Sequence, residues 1–199
     1  MNDFKITLTN YEFEIPGNWS IVLMANYRTG STAFGNLLSK ITGLPFLGEV
    51  FHYNHSSRPH VYDSAQQSIV KIMPNHMPPE DQWDSLFNNS YIIGLYREDI
   101  AAQSLSYAIS YRLKKWQQNR DASSVFAGND SELTLTNGQI LPFVQTIRDT
   151  LAVWNDCREY FDTTLCYEKI VPDLVNSDID CFPKITKYNE TLSNLRTII

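Results

Sequence analysis

Two hydrophobic rhythms alternate along this chain. Short runs apolar at most positions, WSIVLMA (residues 19–25) and SIVKIM (68–73), predict strands buried on both faces, as in parallel sheets; SYIIGLY (90–96) predicts a third strand and TTLCY (163–167) a short fourth one. Between them, apolar residues recur every three or four positions. Phe34, Leu37, Leu38 and Ile41 predict a helix from Ser31, capped by Ser31 or Thr32 and stopped by Gly43 and Pro45. Ile100, Leu105, Ile109 and Leu113 predict another, running straight out of SYIIGLY. A short helix is expected at EDQWDSLF (80–87), a longer one over about 142–161, and a helical turn from Glu168 that closes around Pro172 to Asn176. The alternating FKITLTNYEFEI (4–15) predicts two short strands or a hairpin ahead of Pro16-Gly17. Residues 118–141 are mostly polar and read as a lid or acceptor loop, with a small hairpin expected around Asn137-Gly138.

Strand, polar turn and helix therefore follow one another twice, which implies a single α/β domain over 1–199 with an open, mostly parallel central sheet flanked by helices. In such sheets ligands bind beyond the C-terminal ends of the strands. The two strand-to-helix turns, 26–32 and 97–106, accordingly belong to one rim.

Composition narrows the classes of function. A net charge of −6 argues against a nucleic-acid partner, because such domains carry a surplus of Lys and Arg. No apolar run approaches the roughly 18 residues of a membrane span, and the N-terminus lacks the basic start and apolar centre of a signal peptide. A cytoplasmic protein is expected. Cys157, Cys166 and Cys181 form no C-x-x-C pair and are expected to be reduced and structural, with no metal site among them.

The turn after the first buried run, NYRTGST (26–32), offers a glycine, hydroxyls and the guanidinium of Arg28 at a helix N-terminus, where unpaired N–H groups and the helix dipole favour an anion. It lacks the lysine of the Walker A pattern, and Arg28 suits a tetrahedral oxyanion. The second turn sets Arg97 at a strand end and Ser106 nine residues on. Together the turns describe a ligand with two separated anionic groups.

YRTGSTAFGNLL (27–38) resembles the 5′-phosphosulfate loop of sulfotransferases that use 3′-phosphoadenylyl sulfate (PAPS), above all the bacterial trehalose sulfotransferase branch. LYREDIAAQSLS (95–106) is similar to that branch's R-x-D-x-x-A-Q-A-x-S segment, with Arg97, Asp99, Ala102, Gln103 and Ser106 at its characteristic positions. TGLPFLGEVFH (42–52) resembles its G-x-P-x-E-Y-F segment, with Glu49 at the acidic position, and IVKIM and CYEKIV resemble two further strands, the second carrying Tyr167-Glu168. Departures are Ala33-Phe34 in place of Leu-Leu, Glu98 where a second Arg is frequent, and little sequence after the Tyr-Glu strand. Acceptor-binding elements are therefore expected to be reduced or to come from a second subunit, as in a homodimer.

The resemblance implies a P-loop-like three-layer fold and sulfuryl transfer from PAPS to a hydroxyl, carbohydrate among the candidate acceptors, leaving 3′,5′-adenosine bisphosphate (PAP). It places Arg28, Thr29, Gly30, Ser31 and Thr32 around the 5′-phosphate, Arg97 and Ser106 on the 3′-phosphate, and requires no metal. It makes Glu49 the acceptor's proton acceptor; His52 and His76 are the alternatives, being matched to neutral pH. Lys71 lies near the transferring group or serves as an ion-pair lysine at the strand end. Tyr107, Tyr111 and Trp116 are expected mainly in packing, with adenine stacking the alternative, and Arg112, Lys114 and Lys115 on a solvated face. The rival reading is a non-catalytic or kinase-like nucleotide binder, disfavoured as a kinase by the missing Walker lysine and by the lack of a magnesium carboxylate after SIVKIM.

Overall fold

The computed structural model describes residues 3–52, 66–77, 86–113, 135–176 and 188–199. Five parallel strands form the central sheet: β3 (Ser20–Ala25), β4 (Phe46–Gly48), β5 (Ile69–Ile72), β6 (Ser90–Tyr96) and β7 (Thr163–Cys166), in the order β4-β5-β3-β6-β7. All four strands expected from these runs lie in it. Every residue of β3 and β5 is buried, because helices cover both faces. The period-two geometry of a strand sends Ile21, Leu23 and Ala25 into one core layer and Val22 and Met24 into the other.

On the first face lie α1 (Ser31–Thr42) and α4 (Tyr167–Asn176), which bring Phe34, Leu38, Ile170 and Leu174 onto the sheet. On the second lies α3 (Asn137–Asp156); its Trp154 packs on Val22, Met24 and Val70 and donates its indole N–H to the Met24 carbonyl at 3.0 Å. A third cluster joins α2 (Ile100–Leu113) and α3 to the final helix α5 (Tyr188–Arg196) through Leu105, Ile140, Val144, Leu192 and Leu195. Among the described residues no helix is long and apolar enough to cross a membrane.

The N-terminal hairpin forms as expected, with β1 (Phe4–Leu8) antiparallel to β2 (Tyr11–Ile15). It buries Ile6, Leu8 and Ile15 beside α4, and its turn is pinned there by Thr9, which donates through its backbone N–H and its hydroxyl to Asp173 at 3.0 and 2.8 Å.

Several expectations are corrected. Asn137-Gly138 makes no hairpin but opens α3, with Thr136 as N-cap and the Gln139 side chain accepting from the Thr136 N–H at 2.9 Å. The Thr-x-x-Gln capping pattern outweighs the Asn-Gly turn preference. That helix starts five residues earlier than the expected position 142, and its end is followed by a 3-10 turn, Arg158–Tyr160. Neither Ser31 nor Thr32 caps α1; Gly30 holds the cap position in a left-handed conformation, while Gly43 stops the helix as expected. The short β4 and α5 were not anticipated. Most of the expected lid, all of EDQWDSLF except Leu86 and Phe87, and Trp116, Lys114, Lys115 and Cys181 lie outside the described residues. Cys157 and Cys166 are free thiols, as expected.

Candidate active site

The turn between β3 and α1 is organised around Asn26, which is almost wholly buried. Its Oδ1 accepts from the Tyr27 N–H and the Thr150 hydroxyl, each at 2.7 Å, while its Nδ2 donates to the Ile147 carbonyl at 3.2 Å. These bonds satisfy a polar group that would otherwise be costly to bury, and they fasten the loop to α3. Thr29 is completely buried and donates its hydroxyl to the Asn26 carbonyl at 2.9 Å. Thr29, expected around the 5′-phosphate, spends its hydroxyl inside the loop, so its side chain shapes the turn.

Arg28 is held at φ 57° and Gly30 at φ 70°. For a non-glycine residue that conformation costs on the order of 1–3 kcal/mol and is kept only where the surroundings enforce it. A methyl group on Gly30 would sit 2.7 Å from the Tyr167 ring, so only glycine fits. The two left-handed residues fold the chain so that the first turn of α1, with its outward N–H groups, begins at the rim.

On the β6 and β7 side, Arg28 Nε donates to Ser106 Oγ at 3.1 Å. Arg97 reaches the same place: its Nη1 donates to the Arg28 carbonyl at 3.4 Å and its guanidinium lies 4.6 Å from the centre of the Tyr167 ring. Glu168 holds Arg97 by accepting from its Nε at 3.2 Å, and also accepts from the N–H groups of Glu98 and Asp99 at 3.2 and 3.4 Å. Asp99 caps α2 by accepting from the Ala102 N–H at 2.9 Å and pairs with Arg196. Gln103 donates to the Tyr27 carbonyl and so ties the two turns together. Burial, together with the neighbouring Arg97, pulls the Arg28 pKa down against an opposing influence of Tyr167. Burial would raise the Glu168 carboxyl, but the Cys166 thiol, backbone N–H groups and Arg97 outweigh it and hold its pKa below the usual value.

On the β4 and β5 side stands a second cluster. Lys71, buried in β5, donates to Thr32 Oγ1 at 3.2 Å and forms an ion pair with Glu49 Oε1, which follows Gly48 at the end of β4. The other carboxylate oxygen, Glu49 Oε2, lies 3.8 Å from His76 Nδ1. The ring of His52 meets that of His76 edge-on, with centroids 4.3 Å apart. Asn75 donates to the Tyr27 hydroxyl at 2.5 Å and lies 3.2 Å from His76 Nε2. Burial would raise the Glu49 carboxyl, but Lys71 and both imidazoles outweigh it and hold it ionised below its ordinary range. Burial and the neighbouring His52 and Lys71 depress the His76 pKa despite Glu49.

The residues expected at two separate anions thus meet, since Arg28 of the first turn touches Ser106 of the second. The three proton-acceptor candidates, Glu49, His52 and His76, and Lys71 form one cluster. Thr32 stands between the halves and faces Lys71; Ser31 is buried in the first turn of α1. Tyr107 packs between Tyr27 and Phe143, in keeping with the packing role, whereas Tyr111 touches Phe143 but is largely exposed, which corrects the expectation of core packing there; Arg112 is exposed. Asn26 and Glu168, which organise the first turn and Arg97 respectively, had not been singled out for those roles. Their long-range partners lie 69 to 124 residues away, and no local pattern signals those.

No protein-family model matches this sequence, and comparison with curated proteins gives no significant match. The functional reading therefore stands on the residues and their geometry.

Proposed function

We propose that this chain is a sulfotransferase that moves a sulfuryl group from PAPS to a hydroxyl acceptor. One observation carries the reading: Arg28, Arg97 and Ser106 converge at the rim where α1 begins, and a carboxylate-lysine-histidine cluster touches the same helix turn through Thr32. The first half suits a nucleotide with two anionic groups, and the second suits activation of a hydroxyl beside it.

In the proposed reaction the acceptor oxygen attacks sulfur in line while the bond from sulfur to the 5′-phosphate oxygen breaks. The acceptor's proton passes to Glu49, and PAP leaves with the charge of the broken bond. Arg28 and the N–H groups of the first turn of α1 stabilise that leaving oxygen. Arg97, aimed by Glu168 and Tyr167, and Ser106 take the 3′-phosphate, with Arg28 exchanging its Ser106 contact for phosphate oxygens. Lys71 neutralises charge on the transferring oxygens and gives up part of its hold on Glu49 as the carboxylate accepts the proton. Positioning and electrostatics supply the acceleration.

The test is a thermal-shift comparison of PAP with ATP plus magnesium, followed by mass spectrometry of hydroxyl acceptors, sugars first, incubated with PAPS. Stabilisation by PAP and an added sulfate mass are expected. Stabilisation by ATP plus magnesium alone would replace this reading with the kinase-like nucleotide binder, and PAP binding without transfer to any acceptor would favour the non-catalytic one.

A further inference from the structure

The cluster beside β4 and β5 has a donor set that acid-base chemistry alone does not require. Glu49, His52 and His76 each bring one ligating atom, and these atoms lie within 4.8 Å of one another. Ligand atoms around tetrahedral zinc stand roughly 3.3 Å apart. His76 Nδ1 and Glu49 Oε2, at 3.8 Å, are already near that spacing. Glu49 and His52 share one tight turn, in which the His52 N–H donates to the Glu49 carbonyl at 3.3 Å. His76 enters from the turn after β5, fixed by its own N–H donating to the Met73 carbonyl at 2.8 Å. Two ligands from one short turn and a third from a separate segment make a site whose backbone is set before any ion arrives.

We propose that Glu49, His52 and His76 bind a divalent transition-metal ion, best matched by Zn²⁺, and that the bound ion blocks acceptor activation. The binding site stands on geometry alone; the block rests on the sulfotransferase reading. Two imidazoles and one carboxylate suit zinc, whereas magnesium and calcium take oxygen ligands. Three protein ligands leave a fourth position for water. The carboxylate divides its work, with Oε1 on Lys71 and Oε2 turned to His76. Asn75 stands behind His76, its Nδ2 3.2 Å from Nε2, which leaves Nδ1 as the ring nitrogen on the Glu49 side. The Lys71 ammonium opposes a second cation, so the site binds more weakly than a structural zinc centre and gives its ion up to chelators.

The test uses the full chain without nucleotide, titrated with Zn²⁺ in competition with a chromophoric chelator and repeated with Mg²⁺. One zinc per chain and no magnesium binding are expected. His52→Ala, His76→Ala and Glu49→Gln should each weaken zinc by at least about tenfold. Lys71→Met, which removes the competing ammonium while keeping the stem, should tighten it by about tenfold. Should an Ala variant fail to fold by circular dichroism, His52→Gln or His76→Gln replaces it. No zinc binding, or zinc binding that both His variants leave unchanged, overturns the proposal; the latter would place the ion elsewhere, as on a thiol. PAP stabilisation without zinc binding would remove this site and keep the sulfotransferase reading, and zinc binding without a PAP effect would do the reverse. With PAPS and an acceptor, zinc should inhibit transfer and a chelator should restore it; zinc bound without inhibition would overturn the block.

Discussion

The two halves of the rim handle charge differently. On the β6 and β7 side, two guanidiniums are brought to one place, Arg97 held by Glu168 and Arg28 beside the neutral hydroxyl of Ser106. On the β4 and β5 side, charge is balanced within the cluster, the Lys71 ammonium against the Glu49 carboxylate, with two imidazoles beside them. In the proposed function the first arrangement recruits an anion, whose arrival relieves the crowding of like charges. The second holds groups that exchange protons without a large change in net charge. Recognition and proton transfer can thus be disturbed separately.

Glu49→Gln separates them most sharply. Transfer should fall by about 10²–10⁴-fold in single-turnover assays, while the PAP dissociation constant stays within about twofold. Equal losses in both would dissolve the division of labour. Arg97→Ala is the mirror experiment: it should weaken PAP by about 100-fold by calorimetry and abolish its thermal shift, while ATP is affected less. A uniform loss for both nucleotides would mean that Arg97 supports the fold rather than the 3′-phosphate.

Gly30→Ala tests the frame that both halves share. The added methyl meets the Tyr167 ring, and the left-handed backbone is unfavourable to alanine, so stability in urea should drop by about 1–3 kcal/mol. Thr150→Val removes one bond to Asn26 and should cost about 1 kcal/mol, with a matching loss of PAP affinity because the turn is no longer held to α3.

The smallest effect concerns pH. The Glu168 carboxyl is held below its ordinary value of 4.5 in the folded chain, so its contribution to stability is present above the unfolded value and lost as pH falls through the folded one. Urea midpoints followed downward from about pH 6 should therefore decline less steeply in Glu168→Gln than in the parent. An identical slope would show that Arg97 is positioned by Tyr167 and the backbone instead.

Much of the framework was legible because it rests on local physics. Short, mostly apolar runs place β3, β5 and β6, the stretch TTLCY places β7, and Gly43 ends α1 as a left-handed cap. The strand β4 left no such signal, having three half-buried residues, and α5 is short and mostly polar, so it does not stand out from a polar tail. Asn137-Gly138 misled because two local rules compete there and the Thr136 cap with Gln139 prevails.

Glu49, Lys71, Arg28 and Arg97 were recognisable one at a time, as residue types near the ends of strands or in turns, and Ser106 as a hydroxyl on the helix that follows. The sequence by itself thus determined which elements form and where reactive side chains leave them, since hydrophobic period, caps and turn residues act over a few positions. Only the tertiary structure decided which of these side chains meet. The order β4-β5-β3-β6-β7 puts the β3 turn between the others. From there Arg28 reaches Ser106, Thr32 reaches Lys71, and Asn26 finds its partners on α3. Contacts across such separations depend on the packing of the whole sheet, because no local preference encodes them.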